Sequence, residues 1–466
     1  MLHRMLHRRD AMLRLGQIGA GALTLPDLLR TEAAYSAERR RHQLVKSDGQ
    51  AKSCILIYLW GGPPQQDMWD MKPEAPEGVR SQFKSIPTVV PGISVCDQMP
   101  LFARHTDKTA IIRSFTHDSN VHEPSVYRTL TGKTDPTKVM PRNARNRADF
   151  PTVGSVVSSF LTTANMPGCV TLPRPIGHDG VTYSGTYAGF LGARNDPMET
   201  ENAGETKESP THSLTLPDGL KLARVQARQG LLQLIEEQDR RFQTTRHAQS
   251  LDSFREQAVS MLASSRAKAA FDINSEDPKV RDRYGRNEWG EAILMARRLV
   301  AAGVRLVTIS WMYIQKDGNV ANVWDNHGPL EGKNGTEMLQ QNYCLPSLDQ
   351  GYSALMEDLS NTGLLDETLV AMYGEFGRTP KLNKANGRDH WGACQSAVLA
   401  GGGIRGGQVY GSSDAEAAYP KSNPVSPEDM LATMYHALGI SPDSLIHDQL
   451  DRPHRLVEGR PLIELF

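Results

Sequence analysis

Several short runs of the chain are apolar at almost every position and are bounded by glycine, proline or polar clusters. The first is Cys54 to Trp60, a run that a strand must bury on both faces and that belongs in the middle of a sheet. It stops at Gly61-Gly62-Pro63-Pro64, which cannot continue a strand and forces a loop. Comparable runs predict strands at Thr109–Arg113, Cys169–Leu172, Val304–Ile309, Thr368–Tyr373 and Ser396–Ala400. Between them the apolar positions recur at helical spacing. The segment His122 to Leu130, with Pro124 in its first turn, reads as a helix. So do residues 151–163, Glu291–Ala302 ending at Gly303, Leu345–Asn361, and Pro427–Leu438 with Ser426 as its N-cap. Strands alternating with helices predict an α/β fold: a doubly wound, mostly parallel sheet with helices on both faces. The sequence has no internal repeat.

Two stretches interrupt this alternation. Residues 175–216 are rich in Gly, Thr, Ser, Asn and Pro and read as an extended loop that lines or covers a site. From about 217 to 272 the pattern becomes charged and helical (Leu222, Val225, Leu231, Leu234, Ile235, Phe254, Val259, Leu262), which predicts a helical insertion.

Composition narrows the function classes. Hydrophobic residues make up 39% and charged residues 23% of 466, ordinary values for a soluble globular protein. A formal net charge of −1 and the lack of an aromatic-interleaved basic stripe argue against nucleic-acid binding. The five cysteines are scattered and form no CxxC, which argues against a thiolate zinc site and against a disulfide framework, although one disulfide stays open.

The N-terminus departs from this picture. A basic region containing Arg8-Arg9-Asp10-Ala11-Met12-Leu13 precedes a weakly apolar Gly/Ala-rich stretch from Gly16 to Pro26. That shape is too short for a stable membrane anchor, and no other stretch approaches eighteen apolar residues. The paired arginines resemble a twin-arginine export signal, which implies the twin-arginine export machinery as a partner and a periplasmic or otherwise exported location. Residues 1–37 are expected to be this signal and a linker.

The candidate chemistry lies in clusters placed next to the predicted strands, where open α/β folds keep their ligand sites. Asp67 and Asp70 follow the first strand, and His117 and His122 bracket the exit of the second. Asp325 and His327 follow Val304–Ile309, Glu375 and Arg378 follow Thr368–Tyr373, and Asp389 and His390 lie between Gly387 and Gly392. Each cluster is expected to follow a strand and to join one pocket. Alone, each admits a plainer role: Asp-x-His caps turns, Asp67 caps a helix or turn, and Glu375–Arg378 is an ion pair that orders a loop. Together, mixed Asp/Glu/His sets are the material of a divalent-metal site. On that reading Asp325, His327, Glu375 and His390 are the favoured ligands, with Asp67, His117 and His122 next. Arg378 would grip an oxyanion and Asp389 would orient His390.

The segments GGPPQQDMWDMKPEAP, Arg113-Ser114-Phe115-Thr116-His117, Leu130-Thr131-Gly132, Trp324-Asp325-Asn326-His327-Gly328, Gly374-Glu375-Phe376-Gly377-Arg378-Thr379-Pro380, Gly387-Arg388-Asp389-His390-Trp391-Gly392 and Glu458-Gly459-Arg460-Pro461 together resemble the domain-of-unknown-function family 1501. These are exported bacterial proteins of the alkaline-phosphatase-like superfamily, which also holds sulfatases. The resemblance spans residues 53–463 and implies over them an alkaline-phosphatase-like α/β core with two divalent ions (zinc, manganese or calcium). It also implies hydrolysis of phosphate or sulfate esters, small or on polysaccharides. The chain departs from that pattern at four points, one of them Val126 in place of an Arg. Trp60-Gly61-Gly62 stands where an acid closes the first strand, Phe376 replaces an imidazole, and His122 occupies the sulfatase nucleophile position. Ser125 and Thr129 are the substitute nucleophiles, and metal-activated water is the alternative to either. These departures keep a second class open: a non-catalytic exported binding or scaffold protein on the same fold.

Overall fold

β1 (Ser53–Tyr58) is buried at all six positions, as its unbroken apolar run requires. In the computed structural model, which describes residues 43–134, 145–161, 163, 165–178, 181–200, 224–225, 227–228, 259–315 and 319–466, it lies in the interior of an eight-stranded sheet. The other strands are β2 (Thr109–Phe115), β3 (Cys169–Leu172), β4 (Met198–Glu199), β5 (Leu306–Ser310), β6 (Thr368–Tyr373), β7 (Gln395–Ala400) and β8 (Gln408–Tyr410). Their spatial order is β8-β2-β7-β6-β1-β5-β3-β4. β1 runs parallel to β6 and β5, and β3 runs parallel to β5 and β4. β7 alone is reversed, pairing antiparallel with both β6 and β2.

The helices lie on both sides of the sheet. Alternation along β1 sends Ile55 and Ile57 into one core, with Ile293 and Leu294 of α3 (Glu288–Ala301) and Leu348 and Leu355 of α4 (Leu345–Asn361). Cys54, Leu56 and Tyr58 enter the other core. There they join Val126 and Leu130 of α1 (His122–Thr131), Val153 and Val157 of α2 (Val153–Phe160), and Met430 and Met434 of α5 (Pro427–Ala437). The fold is thus the expected doubly wound α/β arrangement, with a mixed rather than uniformly parallel sheet.

Local chemistry sets the helix ends. The Ser426 side chain accepts from the Asp429 amide while Asp429 reaches back, a complete capping box. Asn287 caps α3, which starts at Glu288, three residues ahead of the sequence-based start. The edge strands β4 and β8 were not legible: two or three residues carry no measurable period.

The described residues from Leu44 to Phe466 form one compact unit. Ser265–Phe271, in the tail of the predicted insertion, is helical. Most of the rest of that insertion, like the predicted export signal at 1–37, lies outside the described residues. Among the described residues no helix is long and apolar enough to cross a membrane. All five cysteines are buried and free, so the disulfide left open by the sequence does not form.

Candidate metal centre

The reversed strand explains how the clusters meet. Asp67, His117, Asp325 and Glu375 follow parallel strands, but His390 precedes β7. An antiparallel strand begins at the edge where its parallel neighbours end, so His390 reaches the shared edge from the opposite chain direction. The expectation that every cluster follows a strand is corrected on this point. A two-stranded ribbon, pairing Gly377 with Trp391 and Arg378 with His390, carries the His390 segment to the Glu375 loop.

Asp325 is the hub. Its Oδ1 accepts from Arg378 Nη2 at 2.5 Å and lies 3.0 Å from His390 Nε2. Its Oδ2 lies 3.2 Å from His122 Nε2 and 3.1 Å from His327 Nε2. His122, Asp325 and His390 each offer a donor atom, and these atoms lie within 4.8 Å of one another. The second nitrogen of each imidazole in that group is fixed from behind. His122 Nδ1 donates to Glu375 Oε1 at 2.6 Å, and His390 Nδ1 donates to the Asn120 carbonyl at 3.0 Å. Both rings therefore present Nε2 to the same carboxylate, the orientation that metal-bound histidines receive from their outer partners. Phe376 packs against both rings, with centroids 4.9 Å from His122 and 4.6 Å from His390.

The charges follow from these contacts. Burial opposes ionisation of Asp325, but Arg378 and the hydrogen bonds of the three histidines outweigh it and hold the carboxyl well below the usual range. Burial likewise opposes a charged His122, yet its bonds to Asp325 and Glu375 prevail and raise it to about 9. The bond to Asp325 raises His327, which is 47% exposed and the most open imidazole of the group.

Other expected site residues have different partners. Arg378 is fully buried and donates to the carbonyls of Gly61, Gly62, Trp324 and Arg388 as well as to Asp325. Its guanidinium is spent holding the first-strand loop, so it is not poised to grip an oxyanion. Asp67, expected as a ligand, gives both carboxylate oxygens to the buried Arg388, at 2.7 and 3.3 Å. His117 Nε2 donates to the Glu375 carbonyl at 2.5 Å, while its Nδ1 accepts the Ser119 amide. Burial also holds its imidazole below the ordinary histidine value. Asp389 is exposed and bonds Asn383, so the part of orienting His390 falls to Asn120. Asp70 pairs with Lys72 and Ser413.

Glu375 is fully buried and accepts the Gly61 amide at 2.9 and 3.1 Å as well as His122, so it orients rather than joins the group of three. Gly61 has φ +118°, and a Cβ there would meet the Asp325 amide nitrogen at 2.4 Å. The departure Trp60-Gly61-Gly62 thus has a steric reason. Ser125 and Thr129 are buried; Ser125 bonds Ser119, and Thr129 bonds Tyr58 and the Ser125 carbonyl.

Sequence reasoning passed over Asn120 and Asn322. The Asn120 side chain accepts the Gly392 amide at 2.6 Å, and Asn322 Nδ2 donates to Asp325 Oδ2 at 3.2 Å. Their only signal was nearness in sequence to His122 and Asp325.

The family profile described as "Protein of unknown function (DUF1501)" matches residues 51–466. The chain belongs to the DUF1501 family. No curated protein matches the sequence. Solved structures similar to it include a phosphonate monoester hydrolase of Agrobacterium radiobacter, at 11% identity and TM-score 0.40 over 89% of this chain and 76% of that one. Another is the PsFucS1 sulfatase from Pseudoalteromonas sp., at 13% identity and TM-score 0.38 over 88% and 71%. A third is the lipoteichoic acid synthase LtaP from Listeria monocytogenes, at 10% and 0.35 over 89% and 79%. Overlaps of this degree bear on no residue's role.

Proposed function

We propose that residues 53–463 form an exported, divalent-metal-dependent hydrolase of phosphate or sulfate esters. The observation that carries this reading is the convergence of His122, His390 and Asp325 donor atoms within 4.8 Å. Two imidazoles and a carboxylate are a common set in catalytic metal sites, which leave a position for water or substrate. With two nitrogen donors the set suits zinc or manganese better than calcium, which prefers oxygen. A divalent cation there would polarise an ester oxygen and acidify water.

The chain's own residues do the rest. Glu375 keeps the His122 Nδ1 proton, so that Nε2 stays turned to Asp325, where a cation would be held. The Asn120 carbonyl does the same for His390. Arg378 holds Asp325 Oδ1 and stops the carboxylate from rotating away. His327, the open imidazole, is assigned to contact with the substrate. Attack by water fits the burial of Ser125 and Thr129, neither of which has an activating base.

The test is metal content followed by turnover. Protein purified without chelator should hold a divalent ion and cleave generic aryl phosphate or sulfate esters, and Asp325→Ala or His390→Ala should lower the rate by orders of magnitude. Less than about half an ion per chain, where a built site predicts a bound ion, removes the reading. The saturated Arg378 favours a second reading, a binding or scaffold protein. It predicts bound metal and no turnover on any ester. Export is assigned to the twin-arginine pathway through Arg8 and Arg9. Residues 1–40 fused to a reporter should lose export on Arg8→Lys with Arg9→Lys, and unaffected export removes that assignment.

A further inference from the structure

We propose that the centre takes one divalent cation, not two, and that Arg378 supplies the second fixed positive charge. This rests on the metal-site reading above and goes against the two-ion arrangement that the family resemblance implies.

The first support is the state of the other candidate ligands at this edge of the sheet: His327 lies outside the group of three, its Nε2 on the Asp325 oxygen that His122 also faces. Asp67 spends both oxygens on Arg388. His117 has both nitrogens engaged, Nε2 by the Glu375 carbonyl and Nδ1 by the Ser119 amide. Glu375 takes the Gly61 amide on both oxygens and His122 on one. Asp70 is paired with Lys72, and Asp389 is exposed and bonded to Asn383. Among the described residues, one group of three donors remains.

The second support is charge. Asp325 and Glu375 are the two carboxylates of the cluster, and Arg378 is a buried guanidinium in direct contact with Asp325. With His122 neutral, as binding of a cation at its Nε2 requires, they leave one negative charge for a cation to meet. A single divalent ion already overbalances it. A second would add two more positive charges in a site whose Arg378 and Glu375 are fully buried, where uncompensated charge is costly. Arg378 is held by four main-chain carbonyls, so it cannot swing aside to make room.

Isothermal titration of the full mature chain with zinc chloride, checked by elemental analysis after dialysis, tests this. The wild type should bind one ion per chain. Asp67→Asn, which leaves a neutral group against Arg388, should keep one ion with affinity within about threefold. His390→Ala should weaken binding by more than about 100-fold, beyond the usual effect of an orienting partner. Two ions per chain at comparable affinity overturn the proposal while leaving the hydrolase reading intact. Loss of one of two ions in Asp67→Asn overturns it and returns Asp67 to the ligand set. No bound ion overturns both readings.

Discussion

His122 Nδ1 sits 2.6 Å from Glu375 Oε1, and Glu375 has no exposed surface. The carboxylate that the sequence marks as a metal ligand thus acts one step back, as the group that aims an imidazole. Replacing it with Gln keeps the shape but not the charge. Glu375→Gln should weaken zinc binding by about 10- to 100-fold, the range found for outer partners of metal ligands. Titration of the variant with zinc, and the visible spectrum of its cobalt form, would read this out. Unchanged affinity and spectrum would remove the orienting role.

The Asp67–Arg388 pair is a stability element. Both side chains are buried, and truncating Asp67 leaves Arg388 without a countercharge, held only by the carbonyls of Val79, Thr379 and Pro380. Asp67→Ala should cost about 3–5 kcal/mol in urea unfolding. The double change Asp67→Leu with Arg388→Met should recover most of that loss, because it removes both buried charges together.

Gly61 is where the first-strand loop and the Asp325 segment touch. A methyl group there meets main-chain atoms, and φ of +118° disfavours any other residue. Gly61→Ala should cost about 1–3 kcal/mol in strain alone. It should also displace Asp325 and lower metal affinity in whatever fraction folds. Thermal melts and zinc titration check the two effects separately.

Glu288, in the first turn of α3, gives a pH signature away from the centre. Burial raises its carboxyl from the ordinary 4.5 to about 7. A folded-state value above the unfolded one means the native state favours the protonated form. Its contribution is therefore complete below pH 4.5 and is lost as pH rises through about 7. Glu288→Gln should flatten the fall in urea midpoint between pH 5 and pH 8.5; an unchanged slope would assign the fall to other groups.

Metal binding should release protons. His122 carries a proton on each nitrogen while it bridges Glu375 and Asp325, and a cation can bind Nε2 only after that proton leaves. Zinc affinity should rise with pH toward about 9, where His122 titrates. Titrations in buffers of different ionisation enthalpy would measure the released protons directly.

The sequence by itself determined the α/β class, the buried strands such as β1, β3 and β6, the long helix Leu345–Asn361 and the Ser426 cap. Each of these is written in a local period or a local hydrogen bond. It also marked His122, Asp325, Glu375 and His390, because acids and imidazoles beside buried strands have few other uses. Tertiary structure alone decided their parts. The reversal of β7 depends on which neighbours a strand pairs with, not on its own residues, and it delivers His390 from the far side. Whether Asp67 or Arg378 is free for a ligand depends on Arg388 and on the carbonyls of Gly61 and Gly62, and none of those pairings has a spacing to read. Partner choice for a buried charge is settled only when distant segments close around it and exclude water, so composition and periodicity stop short of it.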